Sequence, residues 1–212
     1  MDEAVNTILL VDDHPLLRKG VGQLLELEDD LKVIGEASNG ADAVSMAAEL
    51  DPDLILLDLS MRGMDGIETL AAMRDADISA HIVVFTVSDD RADVIAALKA
   101  GADGYLLKDV EPDYLVASIQ QACSGKMVLS DQLTEILASS FRDDEKEKDL
   151  RALTRRELQI LKYIAEGLSN KLIARKLDIA ESTVKVHVKH LLKKLSFRSR
   201  VEAAVWMVEQ QK

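Results

Sequence analysis

The sequence predicts two domains: a five-stranded, doubly wound parallel α/β sheet, then a smaller all-helical unit of helix-turn-helix type. Three observations carry this. Over the first 125 residues, short apolar runs alternate with helix-length segments. The β signal stops after Gly125. Charge splits at the same place, with 8 Lys+Arg against 25 Asp+Glu in residues 1–125, 4 against 7 in 126–150, and 14 against 6 in 151–212. An acidic first half joined to a basic last quarter marks domains with different partners.

In chain order, Thr7–Asp13 reads as the first buried strand and 14–27 as the first helix. Leu31–Ala37 is a strand of weaker pattern, followed by a helix over 40–50. Asp53–Leu59, His81–Val87 and Gly104–Lys108 are the remaining strands, and 66–76, 90–100 and 112–124 the remaining helices. Alternation of this kind implies right-handed βαβ crossovers. A sheet covered on both faces also explains strands that are almost continuously apolar. After Gly125, LSDQLTEILASS reads as one helix and FRDDEKEKDLRA as a charged linker with little to bury. The expected boundaries are 1–125, 126–152 and 153–212. In the last segment Thr154 and Glu157 have capping-box spacing, Gly167 stops that helix, and Ser199 with Glu202 offers a second box.

The net charge of −12 would disfavour nucleic acid if it were spread evenly, and it is not. The N-terminus lacks a basic region before its apolar run, and no stretch reaches the ~18 apolar residues of a membrane span, so a cytoplasmic location is expected. The single cysteine, Cys123, sits in an apolar helical stretch and reads as a small core residue. There is no G-x-x-x-x-G-K-[ST], so no nucleotide site is indicated.

Parallel α/β sheets place their ligand crevice beyond the C-terminal strand ends. Asp12 and Asp13 end the first strand, Asp58 the third, Thr86 the fourth and Lys108 the fifth. Singly, an Asp there is a turn former or helix cap and a Lys is solvated. Five such groups at four strand ends point to a site. Three converging carboxylates repel one another unless a cation neutralises them, and all-oxygen ligands favour Mg²⁺. The chemistry permitted is carboxylate attack on phosphorus to give an aspartyl-phosphate. Asp58, alone on its strand end, is the expected nucleophile, with Asp12 and Asp13 as metal holders. Thr86 offers a hydroxyl to the phosphoryl oxygens and Lys108 a point charge.

The segments ILLVDDHP, DLILLDLSMRGMDG, IVVFTVSDD and GADGYLLKD resemble the flavodoxin-like receiver domain of response regulators over nearly all of residues 6–124. The resemblance implies that Asp58 accepts phosphate from a sensor histidine kinase and that Asp12 and Asp13 bind Mg²⁺, with the backbone carbonyl of Ser60 as a further ligand. It implies phosphoryl contacts from Thr86 and Lys108. Tyr105 matches the aromatic switch residue, whose ring moves inward as the threonine reaches for phosphate. Such a domain catalyses only its own phosphorylation and dephosphorylation. One departure is Arg62, where many receivers have Pro; it frees the loop slightly and places a cation near the pocket.

From Leu153 the chain reads as helix, turn, helix, turn, helix. Val184, Val188, Leu191 and Leu195 share the inward face of the last of these. Lys185, Val186, Lys189 and Lys193 share the other, where lysines can reach guanine acceptors and valine a thymine methyl. With the short Ser169–Lys176 helix before it, this segment resembles LuxR/FixJ-type DNA-binding domains. The resemblance implies base reading by Lys185, Val186 and Lys189. Ser182, Thr183 and the remaining lysines, Lys193 among them, would hold phosphates of double-stranded DNA. A final helix near Arg200–Gln210 offers Val201, Ala204, Val205 and Val208 as a homodimer face for paired half-sites. Ala180 stands where a capping Ser or Thr is usual, and Asp178 is the expected substitute.

STVKVHVKHLLKK and RSRVEAAVW, with the receiver stretches, resemble the nitrate/nitrite group of response regulators (NarL/NarP). That implies control of anaerobic respiratory genes, the signal being sensed by the partner kinase. The charge split further predicts that the acidic domain covers the recognition helix until Asp58 is phosphorylated. Two rivals stand beside this reading. An Mg²⁺-dependent phosphohydrolase would carry an acid-base carboxylate two residues beyond its nucleophile, where this chain has Ser60. A phosphorylation-independent DNA-binding regulator with a relic receiver is the other.

Overall fold

The computed structural model describes residues 5–126, 128 and 150–209, without the side chains of residues 205 and 209. The expected linker helix, and the charged run up to residue 149, lie outside the described residues.

Five strands form one parallel sheet in the order β2-β1-β3-β4-β5: β1 (Asn6–Val11), β2 (Leu31–Ala37), β3 (Leu54–Leu57), β4 (His81–Thr86) and β5 (Gly104–Leu107). The order reverses at β1, so the crevice between β1 and β3 is the topological switch point where ligands settle. Helices α1 (Pro15–Leu25) and α5 (Pro112–Cys123) cover one face; α2 (Gly40–Leu50), α3 (Gly66–Asp75) and α4 (Arg91–Ala100) cover the other. The period-two rule divides the strands between the two cores. Leu9, Val11, Ile55, Leu57, Ile82 and Val84 pack on α2–α4, while Ile8, Leu10, Leu54, Leu56, Val83 and Phe85 pack on α1 and α5.

Strands β1, β3, β4 and β5 are shorter than the sequence reading, chiefly at the ends where Asp12, Asp58, Thr86 and Lys108 stand. Asp12, Asp58 and Lys108 directly follow their strands and Thr86 is the last residue of β4, so their side chains stand at the crevice. Helix starts follow the local chemistry. Asn39, Asp65 and Asp90 cap α2, α3 and α4 through their side chains, and Asp65 forms a reciprocal box with Glu68.

A 3-10 turn at Leu150–Ala152 leads into the helical unit: α6 (Arg155–Ala165), α7 (Asn170–Leu177), α8 (Glu181–Lys194) and α9 (Arg200–Glu209). Ile160, Leu161, Ile164, Ile173, Val184, Val188, Leu191, Leu195 and Phe197 form its core. The Thr154–Glu157 box is present at the start of α6. Glu157 is buried, and Lys194 Nζ lies 2.7 Å from its carboxylate. Burial alone would raise that carboxyl; hydrogen bonds from Lys194 and Thr154 outweigh it and hold the group at about 2.

Three helix-end expectations are corrected. Asp178 does not cap α8: it closes α7 in a left-handed conformation (φ 51°), and Ala180 starts α8 with no side-chain cap. Ser199 Oγ accepts from the Glu202 N–H at 3.1 Å, but the Glu202 carboxylate accepts from Arg198 N–H instead, so that box is displaced by one residue. Val201, expected on a dimer face, is buried, Ala204 is half-buried against the domain core, and Val208 is 43% exposed.

Candidate functional site

At the C-terminal strand ends, ladder hydrogen bonds continue one residue beyond β1, β3 and β5 and fix the functional backbone. Asp12 N–H bonds to Ala37 O (3.1 Å), Asp58 N–H to Val11 O (2.9 Å), and Lys108 N–H to Thr86 O (2.9 Å). Gly66 completes the packing beneath Asp58. A Cβ there would stand 2.5 Å from Leu59 Cα and closer still to the Asp58 carbonyl, so only glycine lets α3 start against this loop.

The side chains converge. Asp58 is 1% exposed, Asp12 6% and Thr86 0%. Lys108 Nζ lies 2.8 Å from Asp12 Oδ2 and 2.7 Å from Asp58 Oδ2, a buried lysine bridging two carboxylates from different strands. The Asp58 contact is one of charge: Asp58 Oδ2 and Asp13 Oδ1 are buried and accept no aligned hydrogen bond. Asp58 Oδ1 accepts from the Ser60 N–H at 3.2 Å. Ligand atoms of Asp12, Asp13, His14 and Asp58 all lie within 4.8 Å of one another. Such a donor set fits one small divalent cation, and buried carboxylate oxygens without hydrogen bonds are what a cation would satisfy. A cleft of about 300 Å³ bordered by Val87, Asp89, Leu107, Lys108 and Asp109 opens beside Lys108. The Arg62 side chain is exposed in the loop after Asp58.

Tyr105 lies inward. It is 1% exposed, and its hydroxyl donates to Ser88 O at 2.8 Å. Burial pushes the phenol up to about 12; the Ser88 bond opposes this and the charges of Asp93, Asp89 and Asp58 add to it. The ring thus ties β5 to the loop that follows Thr86 and carries Ser88.

The recognition-helix residues do not share one environment. Lys185 Nζ donates to Asp53 Oδ1 at 2.8 Å, whereas Lys189 and Lys193 stand 3.6 and 3.8 Å from Asp77 Oδ2. Burial tends to raise the Asp53 carboxyl, but the bonds from Lys185 and Thr7 hold it below the usual range, and the same pairing raises Lys185. Val186, Ser182 and Thr183 are exposed, and Ser182 borders a polar cleft between the domains with Lys171, Lys185 and Asp51.

Sequence reasoning missed the receiving side of this contact. Asp53 precedes β3, and Asp77 lies in the turn before β4, at the opposite end of the sheet from Asp58. Buried Arg200 and half-buried Arg74 also line a cleft near that edge. Arg74 bonds Asp103 (2.7 Å) and Gly101 O (3.0 Å), while Arg200 bonds Asn170 Oδ1 (2.7 Å) and Leu168 O. Surface carboxylates have no local signature, so nothing in the sequence distinguishes Asp53 and Asp77 from other acidic positions. Gly66 was findable from the Asp-Gly start of its helix.

Comparison with known proteins agrees with this geometry. Residues 8–120 match the response regulator receiver domain, and residues 151–207 match the LuxR family of bacterial regulatory proteins. The chain is 59% identical over 203 residues to the nitrate/nitrite response regulator NarL of Escherichia coli K12, covering 95% of this chain and 94% of that one. It is 47% identical over 203 residues to NarP of the same strain, covering 96% and 94%. Among solved structures, one of two RcsB dimers bound to two parallel DNAs aligns with a TM-score of 0.57 and 25% identity, over 96% of this chain and 98% of that one.

Proposed function

This chain belongs to the two-component response regulators that join a receiver to a LuxR-type helix-turn-helix, DNA-binding transcription regulators and not metabolic enzymes, and from that premise we propose how its own residues work. Asp58 is the phosphoacceptor, supplied by a sensor histidine kinase. The observation that carries this is the convergence of Asp12, Asp13, Asp58 and Lys108 at the switch point of the sheet. Asp12, Asp13, Asp58 and the Ser60 carbonyl would hold Mg²⁺, which when bound offsets charge on the transferring group. Lys108, drawn from its present partners, neutralises a phosphoryl oxygen, and Thr86 donates its hydroxyl to another. As Thr86 turns, Tyr105 keeps β5 coupled to the Thr86–Ser88 loop.

Residues 1–125 form the receiver, 126–152 the linker and 153–212 the DNA-binding domain. In the docked form Asp53 and Asp77 occupy lysines that would otherwise meet DNA phosphates or bases, so docking competes with operator binding. Phosphorylation releases the domains. The helical domain then reads double-stranded DNA through Lys185, Val186 and Lys189, with Ser182, Thr183 and Lys193 on phosphates. It binds paired half-sites as a homodimer, as the RcsB arrangement supports. Identity to two nitrate/nitrite regulators supports nitrate- or nitrite-responsive genes as targets. No described helix is long and apolar enough to cross a membrane, which accords with action in the cytoplasm.

The test is Asp58→Asn, with phosphoryl incorporation from a small phosphodonor and operator affinity measured together. Loss of both incorporation and phosphodonor-stimulated binding is expected. Unchanged DNA binding with and without the donor in both proteins would leave a phosphorylation-independent regulator.

A further inference from the structure

The docked domains enclose a cleft at the end of the sheet away from Asp58. Its volume is about 120 Å³, and its walls include Ile78, Ala80 and Asp103 from the receiver and Val188, Leu192 and Phe197 from the helical domain. Beside it the domains are pressed together. A Cβ on Gly101 would stand 2.8 Å from the Arg198 carbonyl oxygen, so the space is not a general looseness of the contact.

We propose that this cleft binds a small aromatic carboxylic acid with a hydrogen-bond donor opposite the carboxylate, and that such a ligand holds the domains docked. The proposal rests on the docked arrangement described under the proposed function. Three features name the ligand. First, the inner polar group is an acceptor in need of a donor. Asp103, 6% exposed, gives Oδ2 to Arg74 (2.7 Å) and to the Ile82 N–H (3.0 Å), while Oδ1 is buried and accepts no hydrogen bond from any described residue. Leaving a buried carboxylate oxygen unpaired is costly, and a ligand N–H or O–H would pair it. Second, the aliphatic and aromatic walls suit a flat apolar body, and the cleft approaches the ~150 Å³ that accommodates a benzene ring. Third, the rim is cationic. Lys189 and Lys193, with side chains 44% and 74% exposed, share the single carboxylate of Asp77 at 3.6 and 3.8 Å. Among the charged residues lining the cleft, five are Lys or Arg and two are Asp, so an anionic group is favoured there and a cationic ligand is not.

The walls come from both domains, so the ligand recognises the docked form alone. It also engages two lysines that DNA would use. A metabolite of this class would therefore oppose the effect of phosphorylation without touching the phosphoacceptor.

The experiment titrates the unphosphorylated full chain with para-aminobenzoate and with benzoate, which lacks the donor. Calorimetry reads binding, interdomain fluorescence transfer reads docking at a salt concentration that opens part of the population, and anisotropy reads operator affinity. A ligand of this size should bind with a Kd of about 0.1–1 mM. Benzoate should bind roughly tenfold or more weakly, because it leaves Asp103 Oδ1 unpaired. Transfer should rise, and at about ten times its Kd para-aminobenzoate should lower operator affinity by up to about tenfold. Asp103→Asn, which presents a donor in place of the acceptor, should reduce para-aminobenzoate to the level of benzoate. If that variant does not fold, the two compounds on the parent chain still decide. Equal affinity for both, no binding at about 10 mM, or binding that leaves transfer unmoved would overturn the site. Transfer in the chain alone at low salt separates the two readings: a docked chain that ignores the compound sinks only the site, and a chain whose domains are apart sinks the docked reading with it.

Discussion

Lysine–aspartate pairs stand at both ends of the same sheet, and the two ends differ in what surrounds them. At the C-terminal strand ends, Lys108 is 9% exposed and bridges Asp12 and Asp58 within one domain. At the N-terminal ends, Lys185, Lys189 and Lys193 reach across from the helical domain to Asp53 and Asp77, with side-chain exposures of 27–74% on the lysines. Buried charges are expensive to separate, because a remaining partner is left without water. Exposed pairs contribute little each and weaken with salt. The first arrangement suits permanent chemistry, the second a contact made and broken.

The sharpest way to break this contrast is Lys108→Ala. The buried carboxylates lose their counter-charge and the transferring phosphoryl its cation, so incorporation at Asp58 should fall by about two orders of magnitude or more. Docking, read by interdomain fluorescence transfer, should be unchanged. A fall of only a fewfold would mean that the buried end is not where charge governs the reaction.

Next comes Gly66→Ala. The added Cβ runs into backbone at Asp58 and Leu59, with no side chain to give way, and should cost about 1–3 kcal/mol of receiver stability. Denaturant unfolding checks this, and an unchanged midpoint would show that α3 can shift away from the loop.

At the other end, Asp53→Ala with Asp77→Ala should raise operator affinity of the unphosphorylated chain by up to about tenfold, the scale of three solvent-accessible pairs. Raising salt should open the parent domains more than those of the double variant. Equal salt responses would place the docking energy elsewhere, in the cleft that Ile78, Ala80 and His81 line with Val188, Leu192 and Phe197.

The smallest effect is one of pH. Burial holds His81 down at about 4; Asp103 opposes this, and Arg200 and Arg74 reinforce it. Opening that exposes the ring returns it toward its ordinary 6.5. The open state then binds the extra proton, so docking is fully favoured above 6.5 and declines as pH falls from 6.5 toward 4. Between pH 7 and 6 the open population should rise about threefold, and His81→Gln should abolish that change. The carboxylate of Asp53, held below its usual 3.8, acts in a separate window: its contribution persists above 3.8 and is lost only at lower pH.

The same contrast governs what could be read beforehand. Asp12, Asp13, Asp58, Thr86 and Lys108 were legible because each sits at the end of an apolar run, and a parallel sheet brings such ends together whatever the intervening sequence. The inward face of α8 was legible from its 3.6-residue period, and Val184, Val188, Leu191 and Leu195 are all buried. Asp53 and Lys185 are 132 residues apart, and no periodicity links a surface carboxylate to a lysine of another domain. Val201 was misplaced for a related reason. A helix of ten residues has too few turns for its pattern to tell an inner face from an outer one, and it is Ala203 and Met207 that enter the core.

Asp58 and Asp53 bracket β3, some ~16 Å apart on a strand already near full extension. That arrangement bears on modularity. A chimera joining this helical domain to a receiver with neutral side chains at the positions of 53 and 77 should still accept phosphate and bind operator, yet show no difference between its two forms. The regulatory specificity of the pair is then a property of a receiver's underside, inherited separately from its chemistry, and a graft between relatives must carry both ends of the third strand to remain a switch.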